Sequence, residues 1–253
     1  MRLALIALTV LALPTPARAL SSSQMVALLE QIDRRTTHSF DYMALVFLES
    51  RSKGKPATVL KAHLYRRDRH GALMILFVAP KSEAGSGYLR IKKNLWFYDP
   101  RIGKWERRTD RERIGGTSSN RKDFDRSTLA RDYDPKFEGT VRLGKYRAHK
   151  LMLTRKRGAR PTYPRMRIWV DSASKNILKR QEFAASGKLL RTSYFPKWLK
   201  MDYKGKEVWY PRQVRIFDEV VKGDVTTVVP KKVIPKPMPT NIFTKAWLES
   251  KSR

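Results

Sequence analysis

Cysteine is absent from the 253-residue chain. Its absence excludes disulfides, thiolate metal sites, a cysteine nucleophile and an acylated cysteine behind a signal sequence. Acidic residues are scarce, with 23 Asp and Glu against 54 Lys and Arg. The four histidines, His38, His63, His70 and His149, do not fall at metal-ligand spacing. No apolar run beyond the N-terminus is long enough to cross a bilayer. There is no Walker-type phosphate loop and no dinucleotide fingerprint, and Gly115-Gly116 sits in a polar stretch without a strand–turn–helix context. Gly85-Ser86-Gly87 lacks the nucleophile-elbow pattern. The expectation from these absences is a protein that is not an enzyme and that takes no metal and no cofactor.

What is present begins at the N-terminus. Met1-Arg2 is a short positive start, Leu3 to Leu13 is an apolar run broken only by Thr9, and Pro14 and Pro16 end it. Ala17-Arg18-Ala19 then places small residues at both ends of an A-x-A site. This is the layout of a secretory signal peptide, residues 1–19, cut after Ala19. The apolar run is about 11 residues, whereas a membrane span takes roughly 20, so an anchor is disfavoured. Residues 20–253 are expected to form a single exported domain, soluble in the periplasm after cleavage. Export changes the meaning of the charge. In the cytoplasm such basicity suggests nucleic acid; behind a signal peptide it suggests lipid headgroups, lipopolysaccharide phosphates or acidic polymers, with a merely solvated surface as the plain alternative.

Ser21 to Thr36 reads as a helix, with Ser21, Ser22 and Ser23 as N-cap candidates and Met25, Leu28, Leu29 and Ile32 on one apolar stripe. Beyond it, short runs rich in Val, Ile, Leu, Tyr, Phe and Trp alternate with Gly-centred turns such as Lys53-Gly54-Lys55, Leu143-Gly144-Lys145 and Lys204-Gly205-Lys206. The expected strands are 42–50, 58–67, 72–78, 87–92, 94–98, 104–109, 138–143, 147–155, 165–171, 177–184, 189–195, 207–218 and 224–234. Strand follows strand with almost no helix between, which predicts an antiparallel meander curled into a closed or half-open barrel. The polar segment 111–134, with a weak helical stretch from Asp123 to Arg131, breaks this rhythm and reads as a lid, a binding loop or disorder. Pro230, Pro235, Pro237 and Pro239 predict an extended, poorly paired tail before a short helix from Phe243 to Leu248.

Asp99, Asp171 and Asp218 each follow a strand-like run, a position that favours turn initiation over acid–base chemistry. The aromatics are more informative. Trp96, Tyr98 and Trp105 share one hairpin, and Trp169, Phe183, Tyr194, Phe195, Trp198, Trp209 and Tyr210 lie on or beside later strands. One N-terminal helix and a short C-terminal one cover only part of one sheet face. The remaining apolar area either fills a closed core or lines a cleft for an apolar ligand; nucleic-acid stacking is set aside by export.

Several stretches together resemble the outer-membrane lipoprotein-sorting family, the LolA/LolB-like carriers. Phe77 to Tyr98 with Asp99-Pro100 is similar to that family's strand, proline, Gly-rich bend, "YLR" strand and "LWxYxP" strand. Ile168-Trp169-Val170-Asp171, the hairpins from Lys179 to Tyr194, and the ending from Asn241 to Glu249 resemble its later elements. The likeness is to a larger, uncharacterised branch. It implies a mainly β protein: a half-open antiparallel β-barrel with a few helices over the open side. It also implies a periplasmic carrier of lipid or lipoprotein acyl chains, working with an inner-membrane transporter and an anionic membrane surface. Under that reading Trp96, Tyr98, Trp169, Phe183 and Trp209 are the candidate lipid contacts. The Met25, Leu28, Leu29 and Ile32 stripe marks the candidate lid helix. The competing expectation is an envelope interaction module that docks an anionic polymer or a membrane complex through its basic surface.

Overall fold

The computed structural model describes residues 19–109 and 111–252, so the expected signal peptide, apart from Ala19, lies outside the described residues. The first element of the described residues is helix α1 (Ser22–Thr36). Its N-terminus carries a capping box in which Ser21 Oγ accepts from the Gln24 N–H and the Gln24 side chain accepts from the Ser21 N–H. Six strands follow: β1 (Tyr42–Arg51), β2 (Thr58–Arg67), β3 (Ala72–Ala79), β4 (Gly87–Ile91), β5 (Asn94–Asp99) and β6 (Lys104–Arg108). A connecting segment contains the short helix α2 (Leu129–Asp132). Seven more strands then run β7 (Tyr133–Leu143), β8 (Tyr146–Arg155), β9 (Arg165–Asp171), β10 (Ile177–Phe183), β11 (Leu189–Tyr203), β12 (Lys206–Asp218) and β13 (Val225–Pro235), before α3 (Lys245–Lys251).

All thirteen strands form one antiparallel sheet, ordered β6-β5-β4-β3-β2-β1-β13-β12-β11-β10-β9-β8-β7. Every expected strand has one counterpart. Two boundaries differ: β7 starts earlier, at Tyr133, and β11 runs on to Tyr203 through a register shift between Tyr194 and Trp198. The proline-marked tail is better paired than expected. β13 pairs with β1 as far as Pro235, but with β12 only over Val225–Val228, so the missing N–H of Pro230 costs no bond to β12. Asp99, Asp171 and Asp218 behave as turn formers, accepting from the backbone N–H groups of Arg101, Ser174 and Val220.

The sheet is curled and remains open between β6 and β7. On its inner face Val46, Leu48, Leu60, Ile75, Phe77 and Ile216 form one buried cluster, and α1 packs against Leu151, Leu153, Met166 and Ile168 in a second. Met25, Leu28, Leu29 and Ile32 are all buried there. The outer face of β3–β5 is covered by α3 and the turn before it, through Met238, Phe243 and Leu248. The order of strands dictates one more feature. β6 and β7 are consecutive in the chain yet occupy opposite edges, so the segment between them must cross the open side as a strap.

The tight approach of β3 to β4 offers a test of the packing. A Cβ on Gly87 would lie 2.3 Å from the Ile75 carbonyl oxygen. Gly87→Ala is expected to lower the thermal midpoint by several degrees, with Gly103→Ala, whose Cβ would meet nothing, as the milder comparison in the same melt.

Candidate ligand cleft and its strap

A hollow of about 200 Å³ lies on the inner face of the curled sheet. Its walls come from consecutive strands, including Ala44 and Val46 on β1, Leu64 on β2, Phe195 on β11, Val214 on β12 and Val228 on β13. Ile32 of α1 and Phe124 and Leu129 of the strap close it from the open side. Phe195 stacks on Trp198 at 5.8 Å, and Trp198 Nε1 donates to the Ile177 carbonyl at 2.8 Å, which fixes that part of the wall.

The expected contacts divide between the two faces. Trp209 lines the hollow, with the Arg35 guanidinium 4.3 Å from its ring centroid. Ile32 also lines it, while Met25, Leu28 and Leu29 pack deeper against the sheet. Trp96, Tyr98, Trp169 and Phe183 do not reach it. Successive side chains alternate between faces, and the inner positions of β5 and β9 are held by Leu95, Phe97, Ile168 and Val170. Trp96 and Tyr98 therefore lie on the outer face under α3, where Lys245 sits 5.6 Å from the Trp96 ring. Trp169 packs outside with Ala148 and Leu178, flanked by Lys179 at 4.7 Å. Phe183 is likewise outside, with Arg167 over its ring at 5.6 Å.

The strap is fastened by charge. Asp123 accepts from Arg180 at 2.9 Å and Arg191 at 2.7 Å, and its Oδ2 also accepts from the Asn120 N–H at 2.9 Å. Both arginines also meet the fully buried Glu182 at 3.1 Å. The strap is joined to α1 as well. Asp33 of α1 accepts from Ser127 Oγ at 2.5 Å and from the Leu129 and Ala130 N–H groups at 2.9 Å, capping α2. Helix and strap are thus one mechanical unit over the hollow. None of Asp33, Lys122, Asp123, Arg180 or Arg191 stood out in the sequence. The only signal was the polar segment 111–134, which departs from strand periodicity.

At the hollow's end, Asp68 accepts from Arg66 Nε at 2.6 Å and from the His38 N–H at 2.9 Å. Burial opposes ionisation of Asp68, but Arg66 and His38 outweigh it and hold the carboxyl well below its usual range. Burial likewise opposes ionisation of Asp123, and Arg191 with Arg180 prevails, so its pKa is also lowered. Burial lowers the His38 imidazole more than Asp68 raises it. Among the described residues no cluster of His, Asp and Glu is arranged to hold a metal ion.

Two outcomes follow. As pH falls below about 6.5, the unfolded state takes up a proton that native His38 refuses, so stability drops; it drops again below about pH 4, where Asp68 and Asp123 are ionised in the native state alone. Urea unfolding at a series of pH values should show both declines, and His38→Phe should reduce the first, to which His63 and His149, also lowered by burial, contribute. Asp33→Ala should cost about 2 kcal/mol and speed amide exchange at Leu129 and Ala130, while a variant at the exposed Glu30 should do neither.

The profile of a protein family described as "Uncharacterized protein" matches residues 70–250. No curated protein matches the chain in sequence. Three crystal structures share its fold. One is a LolA superfamily protein from Nitrosomonas europaea: 20% identity, TM-score 0.72, covering 90% of this chain and 100% of that one. Another is a DUF1329 family protein from Desulfovibrio piger: 16% identity, TM-score 0.76, covering 90% and 98%. The third is a domain from Vibrio parahaemolyticus assigned to outer membrane lipoprotein sorting: 16% identity, TM-score 0.73, covering 88% and 97%. The chain therefore belongs to the uncharacterized-protein family matched over residues 70–250, and its fold is the LolA-like one that its own motifs resemble.

Proposed function

We propose that residues 20–253, released by cleavage after Ala19, act in the periplasm as a single-domain carrier that buries an acyl chain of a lipid or lipoprotein between the curled sheet and the unit formed by α1 and the strap. The observation that carries this reading is the apolar hollow under a cover made of α1 and the strap, which are bonded to each other through Asp33. At about 200 Å³ the hollow is smaller than the roughly 300–1,000 Å³ typical of ligand pockets. Ile32, Phe124 and Leu129 line it from the cover side, and in the carrier cycle the cover moves away from the sheet to admit the chain. Burying about a dozen methylenes contributes on the order of 10 kcal/mol. Displacing the cover's own apolar side chains offsets part of that, which keeps cargo release possible. The fold shared with a domain assigned to outer membrane lipoprotein sorting adds support.

Native mass spectrometry and lipid extraction of the protein purified from a periplasmic fraction should show bound acyl species. Ala44 is 1% exposed on the hollow's wall. Ala44→Phe fills that space without adding charge, and is expected to reduce the bound lipid at least about fivefold while the folded state persists in a thermal melt. A lipid-free wild type, or an Ala44→Phe variant that carries lipid like the wild type, overturns the carrier reading.

A further inference from the structure

A second, larger cavity of about 1120 Å³ opens beside the apolar hollow, at the end of the sheet where the β2–β3 and β4–β5 turns meet the strap and the β8–β9 loop. Its described lining residues include eleven Lys and Arg against three Asp. The acids are already engaged: Asp68 with Arg66, Asp125 with Arg90 and Arg121, and Asp132 with Arg131. Lys92, Lys93, Lys122, Arg126 and Arg160 have no carboxylate within 4.0 Å among the described residues. Five cations without an ion-pair partner at that distance thus face one space. In the absence of an anion they repel one another, and a multivalent anion placed there would relieve that repulsion.

The two cavities meet at the strap. Lys122, Asp125, Arg126 and Thr128 line both of them. Lys122 is half-buried. Burial, and then the neighbouring Arg180, push its ammonium below the ordinary lysine value, a cost that a bound anion would remove. An apolar slot that ends in a cationic basin has the outline of an amphiphile with a negative head. Arginine and lysine gathered without carboxylate partners match the several oxygens of a phosphate better than a single carboxylate. The volume leaves room for a substituent beyond the phosphate itself.

Resting on the carrier reading, we infer that the cargo is a phosphate-bearing lipid, with its chain in the apolar hollow and its phosphate in the basin at Lys122 and Arg126, backed by Lys92, Lys93 and Arg160. The strap is then a sorting element as well as a cover, because it presents cations to the head on one side and Phe124 and Leu129 to the chain on the other.

Calorimetry with lysophosphatidic acid and with monoacylglycerol of the same acyl chain separates the two parts. Wild-type protein should bind the phosphate-bearing lipid at least about tenfold more tightly at low salt, as expected for a few cations close to one anionic group. Inorganic phosphate should weaken the lysophosphatidic acid titration and leave monoacylglycerol unaffected. In the triple variant Lys93→Gln, Arg126→Gln, Arg160→Gln the preference should fall towards one. Arg126 and Arg160 are exposed, so the double variant Arg126→Gln, Arg160→Gln serves if the triple one is poorly folded. Equal wild-type affinity for the two lipids overturns this inference and leaves the carrier reading standing. So does a preference that survives in both variants, which would assign it to the general surface charge. Inorganic phosphate that binds without competing marks a free-anion site and also overturns it. Failure of every lipid to bind overturns the carrier reading, and this inference with it.

Discussion

The placement of β6 and β7 at opposite edges of one sheet is the constraint on which the rest of the molecule depends. Two strands adjacent in the chain cannot occupy distant edges without a connection that crosses the face between them. That connection is not covered by a second sheet, so its own polar groups must find partners on the inner face. Asp123 does so with Arg180 and Arg191, and Asn120 Nδ2 donates to the Tyr163 hydroxyl at 2.7 Å. Taking four charges out of water has a high cost, and the attraction between them repays it only because each carboxylate meets both arginines. Such a fastening specifies one position for the strap better than an apolar contact would.

The same fastening explains why the hollow is apolar on one side and cationic on the other. The strap runs over the inner face with Phe124 and Leu129 turned towards the sheet's aliphatic wall. Lys122, Arg126 and Arg131 face the open end of the curl. α1 extends this cover, since Asp33 binds the first turn of α2 and Ile32 reaches the hollow. The chain's excess of 54 basic over 23 acidic residues is therefore not a uniform coat: part of it converges on a basin where the acids are already engaged.

The aromatic residues show how far a strand pattern can mislead about a site. Trp96, Tyr98, Trp169 and Phe183 are large, apolar and on strands, which is why they are attractive as cleft contacts. In the folded chain, aliphatic residues fill the inner face and these rings lie outside, where Lys245, Lys179 and Arg167 cover them. Leu95-Trp96-Phe97-Tyr98 is apolar at every position, so alternation within it does not mark the inner side. One step of register exchanges the faces. The short run around Ile168 to Val170 has the same ambiguity.

The fold class needed only the sequence. Thirteen apolar runs, most of them separated by Gly-centred turns, with α1 as the single long amphipathic helix, specify antiparallel pairing of successive strands, although the expected continuous meander is broken where β1 pairs with β13 and β6 and β7 stay apart. The LolA-like resemblance and the burial of Met25, Leu28, Leu29 and Ile32 follow from local order that the chain displays directly. The tertiary structure alone decided which face is the inner one, that residues 111–132 form a strap, and that Asp123, Arg180 and Arg191 meet above the hollow. Those facts depend on pairing Tyr42 with Pro235 and on the distance between the sheet's two edges, and such long-range closure leaves no periodic mark in the chain.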